Sequence, residues 1–256
     1  MDEGWLVENA PTSWAERFRV RSYEMDGLGS ARPSTITNYL QEAAANHAAA
    51  LGWAITAAAE EQGENWMLVR LQVKLEHWPA WRDEIEVETW PSGVEGLVAF
   101  REFAVRDAEG RQIGAATSSW MMVDLRRRRA TRLPAALNEF PFLDRPRAIG
   151  DPFPKIEVPE EVDVAERFAV RRGDLDINGH ANQAAYVEWA CETVPEEVWR
   201  SAKPTELAIA FRSEVRGGDV VESRRIGTGG DVHLHQLRSA VSGKELAVLR
   251  TAWTLR

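Results

Sequence analysis

An internal repeat constrains the fold of this chain more than any other feature of its sequence. The segment FRVRSYEMDGLGSA begins at Phe18, and the segment FAVRRGDLDINGHA begins at Phe168, 150 residues later, with no gap needed to align them. A repeat of this length in a chain of 256 residues predicts two structural units with one architecture. The identical pairs are Phe18/Phe168, Val20/Val170, Arg21/Arg171, Asp26/Asp176, Gly29/Gly179, Ala31/Ala181 and Glu42/Glu192.

Each copy continues with a helical segment that is followed by several strands. The first helix is predicted to start at Pro33-Ser34 and to run through residues 36–53, and the second to start after Asn182 as N-cap and to end before Pro195. Alternating segments follow both helices, with hairpin turns predicted at residues 107–110 and 242–244. A helix and several antiparallel strands, repeated once, define an α+β fold.

A proline-rich segment separates the two copies. Five prolines between residues 138 and 163 interrupt any regular element there. We therefore predict an N-terminal module over residues 1–137, a linker over 138–163 and a C-terminal module over 164–256.

Composition excludes several classes of function. The formal net charge of -9 argues against nucleic acid as the main ligand. No apolar run of about 18 residues is present, so membrane insertion is not expected, and the N-terminal residues lack the pattern of a signal peptide, which predicts a cytoplasmic protein. Cys191 is the single cysteine, so neither an intrachain disulfide nor a cysteine-rich metal site is expected.

Four long segments resemble the acyl-ACP thioesterase family of plants and bacteria in the order in which that family carries them. They are RSYEMDGLGSARPSTITNYLQEAAANHAAALG, WMLVRLQVKLEHWPAWRDEIEVETW, SSWMMVDLRRRRATRLP and DLDINGHANQAAYVEWACETVP. The resemblance implies a tandem, or double, hotdog fold, in which each module is an antiparallel sheet wrapped around a central helix. It also implies hydrolysis of fatty acyl-ACP without a cofactor, an active site built mainly by the second module, and acyl carrier protein with its phosphopantetheine arm as the partner.

Asp176, Asn178 and His180 are the first candidate catalytic residues. They recur at every second position, which in an extended segment would place all three side chains on one side, with Ile177 opposite. The alternative is that Asp and Asn beside Gly form a turn and that His180 satisfies a loop hydrogen bond. The first copy has Leu28 and Ser30 in place of Asn178 and His180, which favours a chemical role in the second copy only.

Glu214 is the fourth candidate, and it rests on the resemblance of LAIAFRSEV to the later catalytic segment of the family. Glu76 is expected to be its counterpart in the first module, without catalytic duty. Strand alternation places Glu214 on the face opposite the apolar residues of its segment, which a bulge or a strand end would resolve. Some plant members have a cysteine after this glutamate, whereas this chain has Val215.

We therefore expect direct hydrolysis without a thiol nucleophile. Glu214 and His180 would orient and deprotonate a water, Asp176 would hold its neighbours in position, and Asn178 would bind the thioester carbonyl or the water. Backbone N–H groups at the start of the second helix would stabilise the oxyanion. Cys191 is expected to be a small buried side chain within that helix.

Two further groups of residues have a functional and a structural interpretation. An arginine-rich run is either a solvated hairpin or a docking patch for the acidic carrier protein, with Arg171 and Arg172 as further candidates. Three apolar residues of the first module either line a slot for the acyl chain or belong to the core. The run consists of Arg126, Arg127, Arg128, Arg129 and Arg132, and the apolar residues are Trp53, Trp66 and Met67.

Two alternative functions remain open from the sequence. An acyl-CoA or aryl-CoA thioesterase would use the same chemistry, with the arginines meeting nucleotide phosphates. A non-catalytic acyl-binding double hotdog would not need Asn178 and His180. Pairing of the chain into a homodimer is also left open.

Overall fold

The computed structural model describes residues 11–53 and 63–255, and its strands form one antiparallel sheet. The first module contributes a helix, α1, and six strands. Their bounds are β1 Trp14–Arg19, α1 Pro33–Ala50, β2 Glu64–Leu75, β3 Glu84–Glu95, β4 Val98–Asp107, β5 Gln112–Asp124 and β6 Arg129–Ala130.

The second module repeats this succession and adds a short helix. Its elements are β7 Val164–Ala169, α2 Gln183–Cys191, α3 Glu196–Ser201, β8 Ala202–Phe211, β9 Val220–Gly227, β10 Val232–Ser239 and β11 Glu245–Leu255. Short 3-10 helices cover Ser22–Glu24, Ala135–Asn138 and Arg172–Asp174.

The strand order is a mirror image about the centre of the sheet. It runs β1-β3-β4-β5-β2-β8-β11-β10-β9-β7, with β6 paired to β5. Strands β2 and β8 join the modules, because Leu71 pairs with Ile209 and Val73 with Leu207. The two halves are therefore related by a pseudo-two-fold axis at this junction, and the α+β double-hotdog prediction is confirmed.

The concave face of the sheet packs against both long helices. Alanines such as Ala43 and Ala190 are fully buried on the helices, and their small side chains allow the helices to lie close to the curved sheet. Helices α1 and α2 also contact each other. One continuous apolar core extends through both modules.

The linker crosses the opposite, convex face. The Phe153 N–H donates to Gln72 Oε1 (2.7 Å), and the Ala148 N–H donates to Glu102 Oε2 (3.0 Å). Glu102 is fully buried beneath it, and the Thr117 hydroxyl donates to the same carboxylate (2.5 Å). The proline-rich segment thus supplies hydrogen-bond donors to polar groups that are buried on this face of the sheet.

Most local predictions agree with the observed elements. The hairpin turns lie between β4 and β5 and between β10 and β11, as predicted. Asn182 is the N-cap of α2, because its Oδ1 accepts from the Ala184 N–H (2.9 Å). The second helix is shorter than predicted, since α2 ends at Cys191 and a separate α3 starts after Pro195. Among residues 11–53 and 63–255, no helix combines the length and the apolar content needed to cross a membrane.

Candidate active site

The segment that carries Asp176, Asn178 and His180 is a closed turn. Asp176 Oδ1 accepts from the backbone N–H groups of Asn178 (2.8 Å) and His180 (3.1 Å). The Asp176 N–H donates to the His180 carbonyl (2.7 Å), and Gly179 has a φ of 75°. The expectation of an extended segment was therefore wrong, since a left-handed glycine and the carboxylate close the loop.

The same turn is present in the first module. Asp26 Oδ1 accepts from the N–H groups of Leu28 and Ser30, each at 2.9 Å, and Gly29 has a φ of 89°. The Asp and Gly shared by the two copies build this turn. One carboxylate oxygen of Asp176 thus accepts both hydrogen bonds that hold its own loop closed.

His180 faces Glu214 across this loop. Strand β8 ends at Phe211, so Glu214 lies beyond the regular alternation of the strand. An isolated β-bridge joins His180 and Arg216 and brings the two segments together. His180 Nε2 lies 3.5 Å from Glu214 Oε2, with the side chains 26% and 39% exposed, and Arg216 Nη2 lies 3.9 Å from the same oxygen. An imidazole and a carboxylate are thus paired at a partly exposed site.

The first-module counterpart of Glu214 is Trp78, not Glu76. The Ala181 N–H donates to the Val215 carbonyl (2.8 Å), and its repeat partner, the Ala31 N–H, donates to the Pro79 carbonyl (2.9 Å). Trp78 directly precedes Pro79, as Glu214 directly precedes Val215. The expected equivalence of Glu76 and Glu214 was therefore wrong by two residues.

Glu76 matches Arg212 instead. The Glu76 N–H donates to the Ile113 carbonyl (2.8 Å), just as the Arg212 N–H donates to the Leu246 carbonyl (2.8 Å). Both residues follow the last residue of the central strand of their module. Glu76 is exposed. Since it does not occupy the position equivalent to Glu214, its substitution can serve as a control for substitutions at Glu214.

The counterpart site in the first module is closed. Trp78 occupies the position of Glu214 and donates from Nε1 to the Pro204 carbonyl (2.9 Å). The Lys203 ammonium donates to the Ser30 hydroxyl, where the second module has His180. The remaining cavity between these groups is about 10 Å³, which is room for about one water molecule.

The first turn of α2 has one backbone N–H group without a hydrogen-bond partner among the described residues. The Ala184 and Ala185 N–H groups both donate within the cap, to Asn182 Oδ1 and to the Asn182 carbonyl, each at 2.9 Å. In the described part of the chain, the Gln183 N–H is the donor of this first turn that has no such partner. We expected several N–H groups at the start of this helix to be available for an oxyanion. The Gln183 N–H is the one that remains for that role.

Tyr186 supports the segment that carries Glu214, and the sequence analysis missed it. Its hydroxyl donates to the Ser213 carbonyl (3.1 Å), and its ring packs edge-on against Phe211. Burial, together with the neighbouring Glu214 carboxylate, raises the pKa of Tyr186 above its usual value. Its position one helical turn after the N-cap Asn182 was the available signal.

Cys191 is buried on the inner side of α2, as predicted. Only 6% of the residue is exposed. Burial raises the pKa of the Cys191 thiol to about 12, with smaller contributions from Glu192 and Glu188. A thiol in this environment stays protonated and unreactive at neutral pH.

The arginine-rich run forms the exposed β5–β6 hairpin. Asp124 Oδ1 accepts from the backbone N–H groups of Arg126 (2.9 Å) and Arg127 (2.8 Å). Arg128 has a φ of 52°, which turns the chain between the strands. The side chains of all four consecutive arginines and of Arg132 are exposed. Arg171 and Arg172 are not part of this hairpin; they precede the turn at Asp176 in the chain, and Arg171 is paired with Asp174 (2.8 Å).

The three apolar candidates of the first module occupy different environments. Trp53 is 5% exposed and packs edge-on against Phe140 in a second, smaller apolar cluster. Trp66 packs against this cluster from β2, whereas Met67 next to it is 40% exposed. Trp53 is therefore a core residue, while Met67 is accessible.

Two hotdog modules in one chain, with one carboxylate–imidazole pair and one closed counterpart, define the class of double-hotdog thioesterases. The model of the acyl-ACP thioesterase N-terminal domain matches residues 11–139, and the model of the C-terminal domain matches residues 157–255. This chain belongs to the acyl-ACP thioesterase family.

Individual relatives agree with this assignment. The chain is 28% identical over 290 residues to the chloroplastic oleoyl-acyl carrier protein thioesterase 2 of Arabidopsis thaliana, covering 98% of this chain and 78% of the relative. The solved 12:0-ACP thioesterase of Umbellularia californica is 27% identical with a TM-score of 0.87, covering 98% and 100% of the two chains. An acyl-ACP thioesterase from Bacteroides thetaiotaomicron, 24% identical with a TM-score of 0.85 over 95% and 98%, shares the fold.

Proposed function

We propose that this protein hydrolyses the thioester of fatty acyl-ACP by activating a water between Glu214 and His180, and so ends fatty acid elongation. The contact between His180 Nε2 and Glu214 Oε2 at 3.5 Å is the observation that carries the proposal. Both groups can accept or donate a proton, and both are partly exposed. The family membership supplies the substrate class.

In the proposed reaction, the oxygen of a water molecule bonds to the thioester carbon while Glu214 accepts a proton from that water. The resulting oxyanion accepts hydrogen bonds from the Gln183 N–H and from the amide of Asn178. Collapse of this intermediate breaks the carbon–sulfur bond, and the proton held at Glu214 and His180 passes to the leaving sulfur. The products are a free fatty acid and the carrier thiol.

We further propose that the first module supplies the opposite wall of this site. The closed counterpart cavity is lined by Trp78 from the first module and by Lys203 and Trp253 from the second. Leu68 pairs with Trp120 as Pro204 pairs with Trp253, so Met67 corresponds to Lys203. Met67 and Trp66 therefore remain the proposed start of the acyl slot.

The carrier protein is proposed to dock on the exposed arginines of the β5–β6 hairpin. This hairpin follows β5, which carries Trp120 of the same wall, and a Cβ placed on Gly63 would lie 3.2 Å from Arg126 Nε. Gly63 directly precedes β2. The basic hairpin thus adjoins the strand that carries Met67, where a phosphopantetheine arm would enter. A cytoplasmic location remains part of the proposal.

Hydrolysis of matched acyl-ACP substrates by the wild type and two variants tests the mechanism. His180→Ala and Glu214→Gln should each lower kcat/KM by about 100-fold or more, the scale of losing an acid–base group. Glu76→Gln, which removes an exposed carboxylate outside both sites, should keep wild-type activity. Near-normal activity of His180→Ala or Glu214→Gln would remove that residue from the reaction.

Rates on acyl-CoA with the same chains separate the alternative functions. A higher kcat/KM on acyl-CoA than on acyl-ACP would assign the protein to acyl-CoA hydrolysis. Absence of hydrolysis on both, with an acyl chain still bound, would leave an acyl-binding protein.

A further inference from the structure

Gln183, the first residue of α2, connects the two modules beside the catalytic loop. Its Nε2 donates to the backbone carbonyl of Thr37 on α1, at 3.0 Å. Gln183 directly follows the N-cap Asn182, and its own N–H is the one donor of that turn without a partner in the described chain. The side chain therefore fixes the position of the residue that carries this unpaired N–H group.

The hydrogen bond to Thr37 also sets the orientation of the Gln183 amide. A carbonyl accepts only from a donor, so Nε2 must point to α1 and Oε1 must point away from it. Oε1 is buried and has no hydrogen-bond partner among residues 11–53 and 63–255. An unpaired buried acceptor lowers stability, which argues that this residue is retained for a reason other than the stability of the fold.

The repeat supports a role in the reaction. Gln183 corresponds to Pro33, the first residue of α1, which lines the closed cavity together with Ser30 and Trp78. By this correspondence, position 183 is expected to face the His180–Glu214 pair of the second module. The modules differ at each of these cavity-lining positions, since Ser30, Pro33 and Trp78 stand where the second module has His180, Gln183 and Glu214.

We propose that Gln183 is a positioning residue whose side chain clamps the first turn of α2 to α1 of the other module. The clamp holds the Gln183 N–H in line with the thioester oxygen, so the oxyanion is met by a donor that does not have to reorganise. Pro33 has neither the side-chain donor nor the backbone N–H. This proposal rests on the proposed hydrolysis and adds Gln183 to the residues that support that reaction.

Gln183→Met tests this role, because it keeps the length of the side chain and removes both the donor to Thr37 and the unpaired acceptor. The expected result is a fall in kcat of about 10-fold or more. KM for acyl-ACP should stay within about 3-fold of the wild type, since the clamp acts on the transition state. The melting temperature should be unchanged or higher, because a buried unpaired acceptor is removed. Hydrolysis of an acyl-N-acetylcysteamine, which has no carrier protein, should show the same fall in kcat.

Gln41→Met, the same exchange at a partly exposed position of α1, is the matched control and should behave as the wild type. A kcat of Gln183→Met within about 2-fold of the wild type would overturn the proposal. So would a lower melting temperature with a loss of activity that matches the loss of folded protein, since this is the result of a structural role. A raised KM with an unchanged kcat would assign the side chain to substrate binding instead. If the wild type itself hydrolyses neither substrate, the proposed function fails and the clamp fails with it.

Discussion

At the scale of single residues, Cys191 tests whether the reaction proceeds without a thiol nucleophile. The thiol is buried and its pKa is raised to about 12, so it holds almost no thiolate at neutral pH. Cys191→Ser should keep most of the activity of the folded protein, and a thiol-alkylating reagent should leave the native wild type active. Burying the serine hydroxyl should cost stability, on the order of 1–3 kcal/mol. A folded but inactive variant, or an acyl group trapped on Cys191, would replace the water mechanism with a covalent one.

His47 makes stability depend on pH. It is fully buried, its Nε2 donates to the Pro11 carbonyl (2.9 Å), and its Nδ1 accepts from Arg101 (2.9 Å). Burial, and then the Arg101 guanidinium, lower its pKa from 6.5 to about 4. The unfolded chain therefore binds a proton between pH 6.5 and 4 that the folded chain does not bind.

The free energy of unfolding should therefore fall as the pH falls from 6.5 toward 4, by roughly 2 kcal/mol at pH 5 for His47 alone. Buried His235, whose pKa is lowered to about 3 mainly by burial, should add to the loss in the same direction. Denaturant unfolding across this pH range measures the effect. His47→Gln should show a smaller slope than the wild type, and an equal slope would contradict the assignment.

At the scale of elements, the two equivalent turns allow one substitution to be compared in a catalytic and a non-catalytic setting. Asp176→Ala and Asp26→Ala each remove a carboxylate oxygen that accepts from two backbone N–H groups. Each should lower stability by about 1–3 kcal/mol. Asp176→Ala should also lower kcat by about 10-fold or more, because His180 loses its support.

Asp26→Ala should keep the wild-type kcat per folded molecule. Thermal unfolding and kcat of both variants, measured side by side, check this pair. An equal loss of kcat in both variants would mean that the first turn also contributes to the reaction.

Local signals in the sequence were sufficient for the elements but not for the register between the copies. Proline and asparagine marked the helix starts, and the hairpin turns lay where the alternation broke. The counterpart of Glu214 was misplaced from Trp78 to Glu76, because a shift of two residues leaves every side chain on the same face of a strand. The backbone hydrogen bonds to Pro79 and Val215, and those donated by Glu76 and Arg212, reveal that shift.

Contacts between the modules also lay beyond the sequence. Gln183 and Thr37 meet because α1 and α2 pack together across the pseudo-two-fold axis. The turn at Asp176 was misjudged for a different reason. Residues at every second position lie on one side only if the chain is extended. The positive φ of Gly179 turns the chain, so Asp176, Asn178 and His180 do not form such a row.

At the scale of the whole molecule, duplication has given one open site and one closed site on a common scaffold. The modules share the turn aspartates, the helix positions and the mirrored strand order. They differ in the side chains at two equivalent positions of the two sites. The second module has His180 and Glu214, where the first module has Ser30 and Trp78. The proposed function places the single reaction centre in the second module and assigns binding of the acyl chain to the first.

The charge distribution of the whole molecule leads to a prediction about the carrier protein. The chain has a formal net charge of -9, so an acidic partner is repelled overall, whereas the β5–β6 hairpin reverses the charge locally and would attract it. Replacing Arg127 and Arg129 by Ala should raise KM for acyl-ACP, and the increase should be larger at low salt because charges are screened over about 10 Å at 0.1 M. Hydrolysis of an acyl-N-acetylcysteamine should stay unchanged.

The matched control is the replacement of Arg17 and Arg167 by Ala, which removes the same charge from exposed strand positions outside the hairpin. Their side chains are 79% and 67% exposed, compared with 70% for Arg127. A general attraction between the protein and its acidic partner would raise KM equally in both double variants, whereas docking on the hairpin raises it only for Arg127 and Arg129. Steady-state kinetics at two salt concentrations separates these outcomes, and equal losses on the carrier-free substrate would mean that the hairpin arginines support the pocket and do not bind the carrier protein.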